Sequence, residues 1–428
     1  MTVDRNDPAA SGTWEPPVRP IDPDLPALDL LFDPSALSTA LGRHVRADHL
    51  RHKPGVSAVA RLQPDDGGTP GWIAAYHRDA AIKAENLLRR SRQWSSANTG
   101  AALIPVPGPT GQMVVSGPLR LDKKLHKVLA PFAGSAVGEP DLARNVLNYN
   151  PFRRVVFSLQ TDAGTVVCKA GSATVDTTAP LLGRLAAAGV PVVEEYTPAA
   201  LPDGLPDWPR LRYYPWFGST DLASIARHRP GPSTAELSRA AGRALAKLHA
   251  HPRPEEPLPG DADSRHGYEP DGPGRLALMI RDLSRLAPEL GARLDRLRSK
   301  LAIRLARTGQ QVLTHGDFSA DQVLVDGGQV RLVDFDRASR APAAADLGSF
   351  AAVELVADAP STQGRATRLL PGLLEGYRSG GGTVNDADID AWTAFHLLGR
   401  LNEPFRQCRK GWEAEMASRL TLAEEVLR

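Results

Sequence analysis

Residues 313–336 read Leu-Thr-His-Gly-Asp-Phe-Ser-Ala-Asp-Gln-Val-Leu-Val-Asp-Gly-Gly-Gln-Val-Arg-Leu-Val-Asp-Phe-Asp. His315, Asp317 and Gln322 fall on a polar loop. An apolar strand, Val323–Val325, follows, then an Asp-Gly-Gly turn at Asp326–Gly328 and a second strand, Val330–Val333. The turn residues favour a tight hairpin, because glycine accepts the positive φ such turns require. That hairpin returns Asp334 and Asp336 to the end where Asp317 lies, so three carboxylates and an amide converge on one small volume.

Convergent oxygen ligands suit magnesium, a hard cation that keeps waters or phosphate oxygens in its remaining positions. Phosphoryl transfer asks little more of side chains: positive charge on the phosphate oxygens and one carboxylate to orient the attacking hydroxyl. Asp317 fits that carboxylate and Asp334 a metal ligand. Gln322, five positions after Asp317, can present a second metal oxygen, and Asp336 is a further candidate metal ligand.

His315-x-Asp317, followed by Gln322 and then Asp334-Phe335-Asp336, resembles the catalytic loop and metal-binding triplet of the aminoglycoside phosphotransferase and choline kinase family, protein-kinase-like enzymes that phosphorylate small molecules. The resemblance covers about residues 140–428. It implies ATP and magnesium as cofactors and a small-molecule hydroxyl acceptor: a sugar, an amino sugar or an aminoglycoside-like antibiotic. It also implies that Asp317 is the catalytic carboxylate, that His315 is structural within the loop, and that Asp346, in Ala-Ala-Asp-Leu-Gly, is a structural carboxylate. The chain departs from the pattern twice. Gln322 stands where Asn is usual, as also occurs in maltokinase-like sugar kinases, and Asp336 stands where protein kinases have Gly. An acidic residue at the second place is common in the small-molecule branch. A protein kinase is disfavoured, since no Ala-Pro-Glu segment follows Asp334-Phe335-Asp336.

Composition fits an enzyme of the cytoplasm. At 428 residues the chain has length for two or three domains. Fifty-one Lys and Arg against 49 Asp and Glu leave +2, so no basic field points to nucleic acid. Two cysteines, Cys168 and Cys408, give neither a disulfide framework nor a cysteine metal site. No apolar run approaches a membrane span. Residues 1–26, rich in Pro, Asp and Arg, read as a disordered tail. Asp33 to Gly42 reads as a short helix with an Asp cap, Pro34 at its first position and Gly at its end.

An internal repeat organises the first half. Leu50-x-x-x-Pro54-x-x-x-x-Val59-x-x-Leu62-Gln63-x-Asp65-x-Gly67 recurs, shifted by 97, as Leu147-x-x-x-Pro151-x-x-x-x-Val156-x-x-Leu159-Gln160-x-Asp162-x-Gly164. Each copy reads as strand, Pro loop, strand, turn, strand and helix. The expected organisation is α+β: an N-terminal α+β cap over residues 27–138, a kinase-like small antiparallel-sheet lobe over 139–217, and a large helical lobe over 218–428, together a bilobed protein-kinase-like fold with an added cap standing in front of the small lobe.

The second copy carries Lys169 on its third strand, where the resemblance implies a phosphate-binding lysine. In the first copy that place falls to Trp72, or to Ala75 if the turn is three residues longer, and neither is a lysine. Arg153 and Arg154 occupy the turn that would cover the phosphates and are candidate nucleotide ligands. The helix after Lys169 has Thr178 where a partner glutamate is usual, leaving Asp176 and Glu194 as substitutes. Leu211–Thr220 is aromatic and would line an adenine pocket, with Tyr214 a candidate contact. Ser233 and Glu236 are spaced as a capping box for a helix to Ala250. Residues 251–274 read as a mobile loop. Asp386, Asp388 and Asp390 open a helix containing His396 and Arg400; they read more simply as a favourable first turn against the helix dipole than as an attractor of a cationic acceptor. A kinase-like protein that binds nucleotide without catalysis is the alternative reading, because Gln322 and the missing helix glutamate each alter a standard contact.

Overall fold

The structure, a computed structural model, describes residues 21–94, 104–107, 113–173, 178–228, 231–252, 258–259, 273–306, 309–357 and 368–428. Residues 1–20 of the expected tail lie outside these, but 21–26 do not behave as a tail. Leu25 is fully buried, and the Asp22 carboxylate accepts hydrogen bonds from His52 Nε2 at 2.7 Å and the Gly55 amide at 2.8 Å. A polar composition concealed one apolar anchor and one paired carboxylate. The expected helix α1 (Pro34–Leu41) follows, with Asp33 accepting from two first-turn amides and Gly42 at φ 64° closing it.

Two antiparallel sheets come next. The first, ordered β1-β2-β3-β5-β4, contains β1 (Val45–Lys53), β2 (Ser57–Pro64), β3 (Gly71–Tyr76), β4 (Ile104–Pro107) and β5 (Met113–Pro118), with α2 (Ala81–Trp94) after β3 and α3 (His126–Leu129) after β5. The second contains β6 (Val146–Asn150), β7 (Arg154–Thr161), β8 (Gly164–Gly171) and β9 (Leu211–Pro215) in that order, with α4 (Ala179–Ala187) between β8 and β9. Register shows what the first copy has in place of the strand lysine. Val156 pairs with Lys169, and its counterpart Val59 pairs with Ala74, neither Trp72 nor Ala75. The turn in the first copy is two residues longer, and a buried alanine stands where the lysine would be.

Side chains alternate between the faces of a strand, and the first sheet uses both. Ala58, Ala60, Leu62, Ile73 and Ala75 enter a core shared with the C-terminal helices, whereas Val59, Trp72, Ala74 and Val115 enter a core shared with the second sheet. Trp72 packs 5.2 Å from Phe152, and Arg51 Nη2 donates to the Pro151 carbonyl at 2.6 Å. The N-terminal sheet is thus wedged between the second sheet and the helices rather than standing in front of the second sheet.

The helical part begins with the short strand β10 (Thr220–Asp221), α5 (Leu222–His228) and α6 (Pro232–Ala250). The expected Ser233–Glu236 capping box does not form. Gly231 takes the cap position with Pro232 inside it, and Glu236 pairs with Arg239 and Arg243 instead. Most of the expected 251–274 loop lies outside the described residues. Helices α7 (Pro273–Leu286) and α8 (Gly291–Leu305) precede β11 (Gln311–Thr314), β12 (Val323–Asp326), β13 (Gln329–Leu332) and β14 (Ser339–Pro342). Then come α9 (Ala344–Ala357), α10 (Leu370–Ser379), α11 (Asp386–Gly399), α12 (Glu403–Arg406) and α13 (Trp412–Val426). Among the described residues, no helix is long and apolar enough to cross a membrane.

Candidate active site

The hairpin forms as its turn residues require. Asp326 pairs with Gln329, leaving Gly327 and Gly328 as the two-residue turn, with Gly327 at φ 56°. The loop before it is fixed from beneath. His315 is fully buried; its Nε2–H donates to the Val333 carbonyl at 2.7 Å, and its ring lies 4.6 Å from that of Phe335. This bond ties the loop carrying Asp317 to the strand end carrying Asp334. Asp346 accepts from the amides of His315 at 2.7 Å and Gly316 at 2.9 Å and from His249 Nε2 at 3.1 Å, while His249 Nδ1 meets the Tyr377 hydroxyl at 2.9 Å. Burial would raise the Asp346 carboxyl, but the bond and charge of His249, joined by the charge and amide of His315, hold the group below the usual carboxylate range. Gly316 sits at φ 80°, and a Cβ there would fall 2.0 Å from the Arg337 carbonyl oxygen, so only glycine fits.

Asp317 emerges from this loop with 43% of its side chain exposed. Arg400 Nη2, at the end of α11, lies 3.7 Å from one oxygen, and Arg337 Nε lies 3.9 Å from the other.

Lys169 arrives from the second sheet by alternation. Val166, Cys168 and Ala170 bury against the first sheet, which turns Val167 and Lys169 to the opposite face, where they line a cleft. The same holds on β9: Leu211 and Tyr213 go inward, while Arg212, paired with Lys169, and Tyr214, paired with Val167, share the lysine's face. Lys169 Nζ meets Asp334 Oδ1 at 2.8 Å and also contacts Asp336. Burial alone would raise the Asp334 carboxyl, but Lys169 and then Arg154 hold it well below the ordinary range.

The cleft between the second sheet and the hairpin has a volume of about 500 Å³. Arg154, Lys169, Tyr214, Trp216, Gln322 and Asp334 are among its lining residues. Gly218 lets the segment after β9 pass close to β12, since a Cβ there would lie 2.2 Å from the Val325 carbonyl oxygen. Arg153 and Asp336 are not in this lining; both line a smaller cavity beside it. Asp336, expected as a metal ligand, is met by Arg154 Nη1 at 3.2 Å, Arg212 Nη2 at 3.0 Å and Lys169. Asp334, on Lys169, and Gln322 are among the oxygen-bearing residues that line the cleft. Among the described residues, no group of three or more His, Cys, Asp or Glu is arranged to hold a metal ion alone. Two protein oxygens completed by phosphate and water suit magnesium, which rarely takes an all-protein cage.

Three residues near the site had no role assigned from the sequence. Glu195, not Glu194, is the inward glutamate: Glu194 is exposed, while Glu195 accepts from Thr178 Oγ1 at 2.6 Å, Thr178 N at 3.0 Å and the Tyr214 hydroxyl at 3.2 Å. Two adjacent glutamates gave no pattern to choose between them, and Asp176 lies outside the described residues. Arg212 had a usable signal, a cation between the apolar Leu211 and Tyr213. Arg400 is separated from Asp317 by the whole of α9, α10 and α11, and nothing local marks it. His396 packs against Trp392 and Phe395, with ring centroids at 6.0 and 5.4 Å. The acidic run at α11 stays at the helix start, where Asp386 pairs with Arg378.

A somewhat larger cavity, about 560 Å³, lies between the end of α6 and the start of α11. It includes neither Lys169 nor Asp334, both of which line the smaller cleft.

The model of the phosphotransferase enzyme family matches residues 153–388. No curated protein matches the chain significantly. Among solved structures, an amicoumacin kinase in complex with AMP-PNP, Ca2+ and Ami is 15% identical, covering 70% of this chain and 93% of that one with a TM-score of 0.49. A choline/ethanolamine kinase family protein from Mesorhizobium loti is 16% identical, with coverage of 71% and 95% and a TM-score of 0.44. A macrolide 2'-phosphotransferase from Brachybacterium faecium is 20% identical, with coverage of 70% and 98% and a TM-score of 0.41.

Proposed function

The chain belongs to the phosphotransferase enzyme family and has its kinase-like fold, and from that premise we propose that it moves the terminal phosphoryl group of ATP, with magnesium, to a hydroxyl of a sugar, an amino sugar or an aminoglycoside-like antibiotic. The observation that carries this reading is the meeting of Lys169 and Asp334, 2.8 Å apart, on the wall of a cleft that also presents Arg154 and Gln322.

In this reading the nucleotide enters the cleft with its base against the Tyr214–Phe217 segment and its phosphates toward Lys169 and Arg154. Asp334 and Gln322 would hold magnesium, which supplies positive charge to the phosphate oxygens as the transferring group loosens. Asp317 orients the acceptor hydroxyl and takes its proton. The hydroxyl oxygen forms the new bond to phosphorus while the bond to the bridging oxygen breaks, its electron pair leaving on ADP. Arg400 and Arg337 flank Asp317 and hold its carboxylate toward the acceptor side. Asp336 is assigned to anchoring rather than to the metal.

Coupled ADP release across aminoglycosides, amino sugars, maltose, choline and related alcohols tests the reading, with Asp317→Asn as blank. Acceptor-dependent release absent from the blank is expected. Stabilisation by nucleotide without any acceptor-dependent release across the panel would favour a nucleotide-binding protein without catalysis.

A further inference from the structure

A second cavity, of about 310 Å³, opens beside the nucleotide cleft, where the β6–β7 turn, the end of β8 and the start of β9 come together. Its charged lining is Arg153, Arg154, Lys169, Arg210 and Arg212 against a single carboxylate, Asp336. That carboxylate is already spent on Arg154, Arg212 and Lys169. Among the described residues, neither Arg153 nor Arg210 has a carboxylate within ion-pair distance of its side chain. Arg212 is nine-tenths buried; Nη2 serves Asp336, but Nη1 is buried without any hydrogen-bond partner.

An unpartnered guanidinium N–H out of water has lost its hydration with nothing in exchange, which is costly for a charged group. Guanidiniums gathered without counter-charge add mutual repulsion. One kind of group relieves both, an oxyanion whose oxygens accept from several planar N–H donors at once. The volume is at the lower end of what small ligands occupy. We propose that this cavity is a binding site for a phosphate-type oxyanion, separate from the nucleotide cleft, with Arg153, Arg210 and Arg212 as its donors. Lys169 and Arg154 line both cavities, so an anion in one weakens, without excluding, an anion in the other. The oxyanion is either free phosphate or the phosphate group of a larger metabolite, and both present the same chemistry to the arginines. The site goes beyond the proposed function, because it needs neither an acceptor nor turnover.

Isothermal titration of the full chain with inorganic phosphate at low ionic strength, repeated at rising AMP-PNP with magnesium, tests the proposal. Saturable binding is expected, with an apparent Kd that rises and then levels off as AMP-PNP saturates. Arg210→Gln should weaken phosphate binding about tenfold, the scale of one lost charge-assisted bond, and Arg210→Lys should restore part of it, while AMP-PNP affinity stays within twofold. Circular dichroism checks that the variants fold, and Arg210→Met serves if Arg210→Gln does not. No phosphate binding, or binding indifferent to Arg210, would overturn the site. So would an apparent Kd that rises without limit, because the cavity would then serve the nucleotide's own phosphate. A sugar phosphate that binds more tightly than inorganic phosphate, with the same loss in Arg210→Gln, would support the larger-metabolite source.

Discussion

Lys169, on β8, holds its ammonium nitrogen 2.8 Å from the carboxylate of Asp334, which lies 165 positions later in the chain. Asp334 has its backbone in the left-handed region, φ 65° and ψ 59°, a conformation that costs a residue with a side chain roughly 1–2 kcal/mol. The lysine contact and the His315–Val333 bond one residue earlier together hold that turn. A strained carboxylate aimed at a strand lysine is the relationship from which the predicted chemistry of the site follows.

Asp334→Ala should abolish magnesium-dependent turnover. It also leaves Lys169, only 11% exposed, without its closest cleft partner, so the melting temperature should fall as well. Asp334→Asn separates the two effects, since it keeps the side-chain volume while losing the charge. Magnesium titrations of ADP release on both variants check this; an Asn variant with normal magnesium dependence would exclude Asp334 as a metal ligand.

Asp317→Asn should cost about 10²- to 10⁴-fold in kcat, the range for losing a positioned general base. Because Asp317 is substantially exposed and is not part of the cleft lining, AMP-PNP affinity should hardly change. Undiminished turnover would exclude Asp317 as the base.

Gly316→Ala should destabilise the fold by roughly 3 kcal/mol or more, from positive φ together with a Cβ driven onto the Arg337 carbonyl. Gly328→Ala, in the hairpin turn, is the control. A Cβ there meets nothing within 4 Å and its φ is not in the left-handed region, so its effect should stay within about 0.5 kcal/mol. Denaturant unfolding of the pair reads the difference directly.

Stability should fall as pH drops below 6.5. Burial, and then the charges of Arg400 and Arg275, push His396 down from 6.5 to about 3, so between those values the unfolded chain binds a proton that the folded chain does not. The unfolded state is favoured by up to about 1.4 kcal/mol per pH unit across that window. Asp334 and Asp346, depressed in the fold, add a further loss below their ordinary value of 3.8. His396→Leu should flatten the upper part of the profile, between pH 6.5 and 4.5, in thermal melts. An unchanged slope there would remove His396 as its source.

The hairpin, the α1 caps and the two-copy strand pattern were legible because their determinants lie within a few residues of one another. Gly327 and Gly328 make a turn wherever they occur between two short apolar strands. Asp33, Pro34 and Gly42 bound a helix by backbone chemistry alone. Lys169 was singled out by its place on the third strand of the second copy, and the register of β8 puts it on the cleft face.

Other features turn on contacts between distant segments. Ala74, and neither Trp72 nor Ala75, faces Val59, because a turn's length is settled by strand pairing and not by the turn's own residues. Glu195 rather than Glu194 faces inward, because which of two neighbours does so depends on the surface that the segment packs against. The three cations from β7, β8 and β9 that meet Asp336 cannot be seen to converge on it until the sheet is assembled.

By itself, the sequence determined the reaction class and brought Asp317, Gln322, Asp334 and Asp336 onto one loop and hairpin, since that information is held in short-range spacing and turn chemistry. Tertiary structure alone decided the pairing of charges, namely Lys169 and Arg212 on Asp334 and Asp336, Arg400 beside Asp317, and the N-terminal sheet wedged between the second sheet and the C-terminal helices. Charges separated by a hundred or more positions choose partners only after strand register and helix packing have fixed which faces meet, and in this chain burial of apolar surface on both faces of the first sheet sets that arrangement.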